Sequence, residues 1–167
     1  MGRLVNLAYR VLYICAYRMM RVYWMVRHPK THGALVAVWH EGKLLLTRNS
    51  YVRYYSVPGG YVHSNETGRQ AARRELAEEV GMAVSEDALR SVVDRNHIWE
   101  GKRERIEIFE TDADDPPAFE PDGREVIVAA FVTPAEALSK PMFPPLRDYL
   151  EARAATGQID AAQRAAV

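Results

Sequence analysis

Residues 66–81, ETGRQAARRELAEEVG, constrain the fold more than any other stretch. Ala72, Leu76 and Val80 recur every four residues, the spacing of a stripe along one side of an α-helix, and Gly81 follows as its stop. Ser64 or Asn65 can cap the start, so the pattern predicts a helix from about Glu66 to Val80. Glu75, Glu78 and Glu79 then share an arc of about 100° beside the apolar stripe, with no lysine among them. A run of helical glutamates is ordinarily a solvated face. Carboxylates this crowded repel one another unless a cation joins them, and hard divalent ions such as Mg²⁺ take oxygen ligands of this kind.

Around that helix the hydrophobic period changes. GALVAVWH (33–40) and KLLLTRNS (43–50) read as a β-hairpin about a Glu41-Gly42 turn, and SVPGGYV (56–62) as a strand broken by Pro58-Gly59-Gly60. Further strands are expected at 88–98, 103–110 and 125–132, and short helices at 134–139 and 143–155. An acidic, proline-containing loop spans 111–123. A chain of 167 residues with 48% hydrophobic side chains is long and apolar enough for one domain with a sizeable core, here of mixed α/β class. The expected organisation is an N-terminal helix over 1–30, a globular domain over 31–155 and a frayed tail over 156–167.

Residues 3–27, without Gly or Pro, read as one long helix ended by His28-Pro29. Arg3, Arg10 and Arg21 fall within about 20° of one another around it, flanked by Asn6 and Tyr17, and much of the remaining circumference is apolar. Residues 1–30 carry six cations and no acid, whereas the other 137 residues hold 16 basic and 22 acidic side chains. The longest uncharged run, 11–17, is too short to span a bilayer, and the arginines interrupt any signal-peptide core. Such a segment packs on the domain, pairs with a second subunit as a homodimer, or lies peripherally on a membrane surface; the sequence leaves all three open. Cations confined to one helix stripe on an acidic body make a poor nucleic-acid footprint. The single cysteine, Cys15, excludes an intramolecular disulfide framework and a cysteine-based zinc site, and fits a reducing, cytoplasmic location, with membrane association still open.

From Gly60 to Met82 the chain reads G-x5-E-x7-R-E-U-x-E-E-x-G-U, with U aliphatic: Gly60, Glu66, Arg74, Glu75, Leu76, Glu78, Glu79, Gly81, Met82. This resembles the Nudix box at every fixed position, a coincidence with a chance on the order of 10⁻⁸ from average residue usage. The strand and VPGG turn before the box, and the later strands and terminal helix, extend the resemblance over 33–152. Residues 1–32 lie outside it. His63 stands where family members often carry an acid, and Asn65 where glycine is frequent.

The resemblance implies a Nudix-type α/β/α sandwich with a mixed sheet, and a metal-dependent pyrophosphohydrolase that cleaves a nucleoside diphosphate linked to another moiety by water attack at phosphorus. It implies that the Gly60 carbonyl, Glu75, Glu78 and Glu79 bind Mg²⁺ or Mn²⁺, that Glu75 orients or deprotonates the water, and that Arg74 positions the box glutamates, Glu66 among them. A further carboxylate is expected from a later loop. Glu125 is the choice, and Glu104, Glu107, Glu110 and Glu120 are expected to face solvent. Arg48, Arg53, Tyr54, Tyr55, His97 and Trp99 are candidates for the substrate cleft, where arginines can hold phosphates and aromatic rings a base. A rival reading is a Nudix-fold sensor that binds a nucleotide without turnover, membrane-peripheral through its N-terminal helix. The LLTR…PGG stretch is similar only in part to the coenzyme A-cleaving subgroup: the spacing after Thr47 differs, and Val57 replaces that subgroup's phenylalanine.

Overall fold

The computed structural model describes residues 2–115 and 124–156, with side chains from Val5 onward. Most of the acidic loop, Glu120 included, and the tail after Thr156 lie outside the described residues. The described elements are α1 (Gly2–Arg27), β1 (Lys30–His40), β2 (Lys43–Asn49), β3 (Gly59–Tyr61), α2 (Gly68–Val80), β4 (Arg90–Trp99), β5 (Lys102–Asp112), β6 (Val126–Val132), α3 (Pro134–Leu138) and α4 (Pro144–Ala155).

The strands form one mixed sheet in the order β4-β5-β1-β2-β6, with β3 added against β1. β1 pairs parallel with β5 along nearly its whole length. Its other edge is shared: Trp39 and His40 pair with β2, while Gly33, Ala34 and Leu35 pair with β3. β1 is buried on both faces from Gly33 to Trp39, as a central strand between two helical layers must be.

On one face Ala71, Ala72, Leu76 and Val80 of α2 meet Val36, Val38, Leu45 and Phe109. On the other, Leu146, Tyr149 and Leu150 of α4 meet Leu35, Trp39, Leu44, Leu46 and Ile108. Leu76, Leu146 and Leu150 have no exposed surface, and each such side chain contributes about 1.5–3 kcal/mol of hydrophobic stabilisation. The expected α/β/α sandwich is the architecture found.

The start of α2 differs from expectation. Its cap is Thr67, whose side chain accepts from the Gln70 N–H while Gln70 reaches back to the Thr67 N–H. Ser64, Asn65 and Glu66 therefore belong to the preceding loop. Gly81 ends the helix with φ 69°, as expected.

α1 lies against the domain, but with its polar and aromatic stripe inward. Asn6, Tyr13, Tyr17, Arg21 and Trp24 contact the body, and Trp24 is buried. Val11, Leu12, Met19, Val22 and Val26 point outward, the reverse of the usual surface helix. The main latch is the two-residue turn between β4 and β5, Glu100-Gly101, with φ of 50° and 83°. The Glu100 carboxylate accepts from the Tyr17 hydroxyl and pairs with Arg21 at 3.2 Å, and His28 Nδ1 lies 2.9 Å from the Gly101 carbonyl.

Candidate active site

The Gly59-Gly60 turn brings backbone and α2 carboxylates together. Gly59 has φ 150°, and its N–H donates to Glu79 Oε2 at 3.0 Å. Gly60 has no room for a side chain, because a Cβ there would lie 2.6 Å from the Glu75 carboxyl carbon. Glu79 thus sits under Gly59, and Glu75 against Gly60, one helical turn apart on α2.

Arg74 organises the rest of the box. Its guanidinium donates to Glu66 at 2.8 Å, Glu75 at 2.7 Å, Glu78 at 3.3 Å and the Tyr61 carbonyl at 3.1 Å. Glu66 also accepts from the His63 N–H at 2.9 Å, which fixes the loop before α2. The Arg74 hydrogen bonds, with that N–H, hold the Glu66 carboxyl down at about 2. Arg74 thus makes the surface pair with Glu78 and also bonds Glu66 and Glu75.

Glu79 stands apart from this network. Burial pushes its carboxyl up to about 7, only partly offset by the Gly59 N–H, and Glu75, Glu125 and Glu78 add to the rise. It opens into a cleft of about 350 Å³ whose wall also includes Gly59, Gly60, Arg48, Trp99 and Glu125. Glu125 accepts from the Tyr51 hydroxyl at 3.0 Å.

The remaining expected positions divide. Tyr54 lines the cleft with Trp99, and its ring stacks on Phe143 at 6.0 Å. Tyr55, the next residue, is outside the cleft lining and sits between Arg48 and Lys140 at 5.4 and 5.5 Å from its ring. Arg53 is exposed and outside the cleft lining. His97 stacks on Trp99 and does not line the cleft. Glu104, Glu107 and Glu110 do not face solvent. Glu104 is buried against Lys102 at 3.2 Å, Glu110 is buried between Arg153, Arg90 and Tyr149, and Glu107 meets His32 at 2.6 Å. Glu104 and Glu110 share the parity of Ile106 and Ile108 along β5 and are buried with them, whereas Arg103 and Arg105 at the alternate positions are exposed.

One whole wall comes from the N-terminal helix. Tyr13, Ala16, Tyr17, Met20 and Trp24 of α1 line the same cleft. Their spacing of three and four residues was present in the sequence, hidden within a helix that is apolar almost all round. Burial and the Glu100 carboxylate hold the Tyr17 phenol well above its usual range, so it stays a neutral donor. Glu100→Gln removes the charge that serves both Tyr17 and Arg21. Losing one charge-assisted contact, on the order of 1.4 kcal/mol, should speed trypsin cleavage between α1 and β1 about tenfold. Mass spectrometry of the fragments reads this, and unchanged cleavage would sink the latch.

Among the described residues, no three metal-ligating side chains converge on one point. Arg74 takes the Glu75 and Glu78 oxygens, and of these three helical glutamates Glu79 is the one that lines the cleft. The donor set nonetheless suits a hard divalent cation: clustered carboxylates raise Glu79, and a side-chain-free glycine cradles Glu75.

The NUDIX domain family model matches residues 29–152. No curated protein matches the chain. Among solved structures, the chain is similar to the E. coli ORF135 protein at 24% identity and TM-score 0.62, covering 76% of this chain and 90% of that one. It is also similar to a MutT NUDIX hydrolase from Burkholderia pseudomallei (23%, TM-score 0.60, covering 73% and 96%). A C. elegans Ap4A hydrolase shares the fold at 16% identity and TM-score 0.60, covering 75% of this chain and 97% of that one.

Proposed function

This chain belongs to the Nudix family and is a hydrolase of phosphorus anhydrides, and we propose that its substrate is a nucleoside diphosphate linked to another moiety. The observation that carries this reading is the pairing, in one cleft, of carboxylates with aromatic rings. Glu79 and Glu125 line it together with Tyr54, Trp99 and Tyr17. A diphosphate with its counter-ions suits the first, and a flat base the second.

Members of the family generally work with divalent ions, and Mg²⁺ or Mn²⁺ is the proposed cofactor here. When bound, such an ion neutralises phosphate oxygens and acidifies water. The proposed ligands are the Gly60 carbonyl, Glu75, Glu78, Glu79 and Glu125. Glu75 orients the attacking water and takes its proton. Glu66 and Arg74 hold the box in register. Arg48 has a buried Nε with no hydrogen-bond partner among the described residues, a donor that a phosphate oxygen would satisfy. Tyr17 and Trp24 help shield the reacting phosphate from bulk water.

The test is a panel of nucleoside diphosphate derivatives incubated with purified protein and Mg²⁺ or Mn²⁺, scored by released monophosphate. Release from at least one compound, stopped by EDTA, is expected. Tight retention of a nucleotide with no turnover under either metal would favour the sensor reading instead.

A further inference from the structure

The outward side of α1 carries no role in the cleft, and its composition is unlike the rest of the surface. Leu12, Met19, Val22 and Val26 are 59–74% exposed. Plotted at 100° per residue, these four fall within an arc of about 80°. Arg18 borders the arc on one side and Arg27 on the other, both exposed. An apolar strip of this kind on a soluble surface marks a contact site. The helix is not a span: among the described residues, none is long and apolar enough to cross a membrane.

Charge decides between the occupants. Residues 1–30 carry six cations and no acid, and the rest of the chain carries six more acids than bases. A second copy seated helix on helix would bring arginines together with no carboxylate on either helix to meet them. A parallel pairing sets Arg18 beside Arg18 and Arg27 beside Arg27. An anionic surface meets the same arginines favourably and repels the acidic body, which orients the molecule with α1 down. Arginines at the borders of an apolar strip can extend to headgroups while the strip enters the acyl boundary. We propose that α1 docks the protein on an anionic lipid bilayer through Leu12, Met19, Val22 and Val26, with Arg18 and Arg27 on the headgroups, while its opposite side walls the cleft.

The experiment is co-sedimentation of the full chain with vesicles of phosphatidylcholine alone or enriched in phosphatidylglycerol. Binding is expected to the anionic vesicles, weakening as salt rises, with little to the neutral ones. Leu12→Gln, Met19→Gln and Val26→Gln together should abolish binding without lowering the melting temperature, because these side chains are already in water. Arg18→Gln and Arg27→Gln should each lower the partition coefficient about fivefold. Equal sedimentation with both vesicle types, or full binding by the triple glutamine variant, overturns the proposal. So does a wild-type dimer in light scattering that the triple variant converts to monomer while neither protein binds vesicles.

Discussion

Glu79→Gln is expected to cut hydrolysis by two to four orders of magnitude and, in the same protein freed of metal, to raise stability at pH 8. The two effects have one cause. Burial, with three other carboxylates nearby, lifts the Glu79 carboxyl from its ordinary 4.5 to about 7. A raised carboxyl binds its proton more tightly in the folded chain than in the unfolded one. Its ionisation therefore opposes folding, and the penalty develops as pH climbs through the window from about 4.5 to about 7. Above that window the cost is about 3 kcal/mol, or roughly 6–12 °C of melting temperature for a chain of this size. Glutamine keeps an oxygen for the Gly59 N–H and carries no charge. Thermal melts in EDTA should show the wild type losing stability between pH 5 and pH 8, and the variant losing less. Added Mg²⁺ should stabilise the wild type far more than the variant. A variant that turns over substrate like wild type removes Glu79 from the site, and identical melts at pH 8 remove the buried-charge account.

How far such a site can be read from sequence depends on where its partners come from. The box helix was legible because its core stripe and its glutamates are local, and both appear at the expected register. Its cap was misplaced because Thr67 and Gln70 satisfy each other, which leaves Glu66 free to serve Arg74 from the loop. The hairpin at Glu41-Gly42 and the later strands were legible from alternation and turn residues. Burial of Glu110 was not, because its partner Arg153 comes from α4, 43 positions along the chain; Glu104 has its partner Lys102 two residues away on the same strand, and its parity with Ile106 was the overlooked signal. The inversion of α1 was least legible of all. Hydrophobicity alone directs Val22 and Met19 inward. The observed packing instead spends the inward side on aromatic and charge-assisted contacts with Tyr51, Glu100 and Lys102, which lie 34 to 83 positions away from the helix residues they meet only after folding. Among the substrate candidates, Tyr54 lies in a bend and Tyr55 in an isolated bridge to Met142, and the bend that sends Tyr54 to the cleft has no periodic pattern to announce it.

Adjacent glycines give the sharpest separation of stability from chemistry. Gly59→Ala should lower stability by about 3 kcal/mol or more, from backbone strain and overpacking together. At φ 150° an L side chain is strained, and the new Cβ would fall 2.8 Å from Leu35 Cα and Cδ2 and closer still to the Ala34 carbonyl. Those atoms belong to β1 at the point where β3 joins it, so the backbone itself would have to yield. Gly60→Ala meets something different. Its Cβ would collide with the end of the Glu75 side chain, which can swing aside. Stability should then change by no more than about 1 kcal/mol. The displaced carboxylate no longer sits where it can orient water, and a shift of about 1 Å in a reacting group costs on the order of 10²-fold in rate. Melting curves and turnover measured on both variants decide the matter. Gly59→Ala should melt about 6–12 °C low, whereas Gly60→Ala should melt near wild type and be nearly inactive. A Gly60→Ala protein with full activity would mean that Glu75 works from another position, and one that melts as low as Gly59→Ala would mean that Glu75 is held there too rigidly to move.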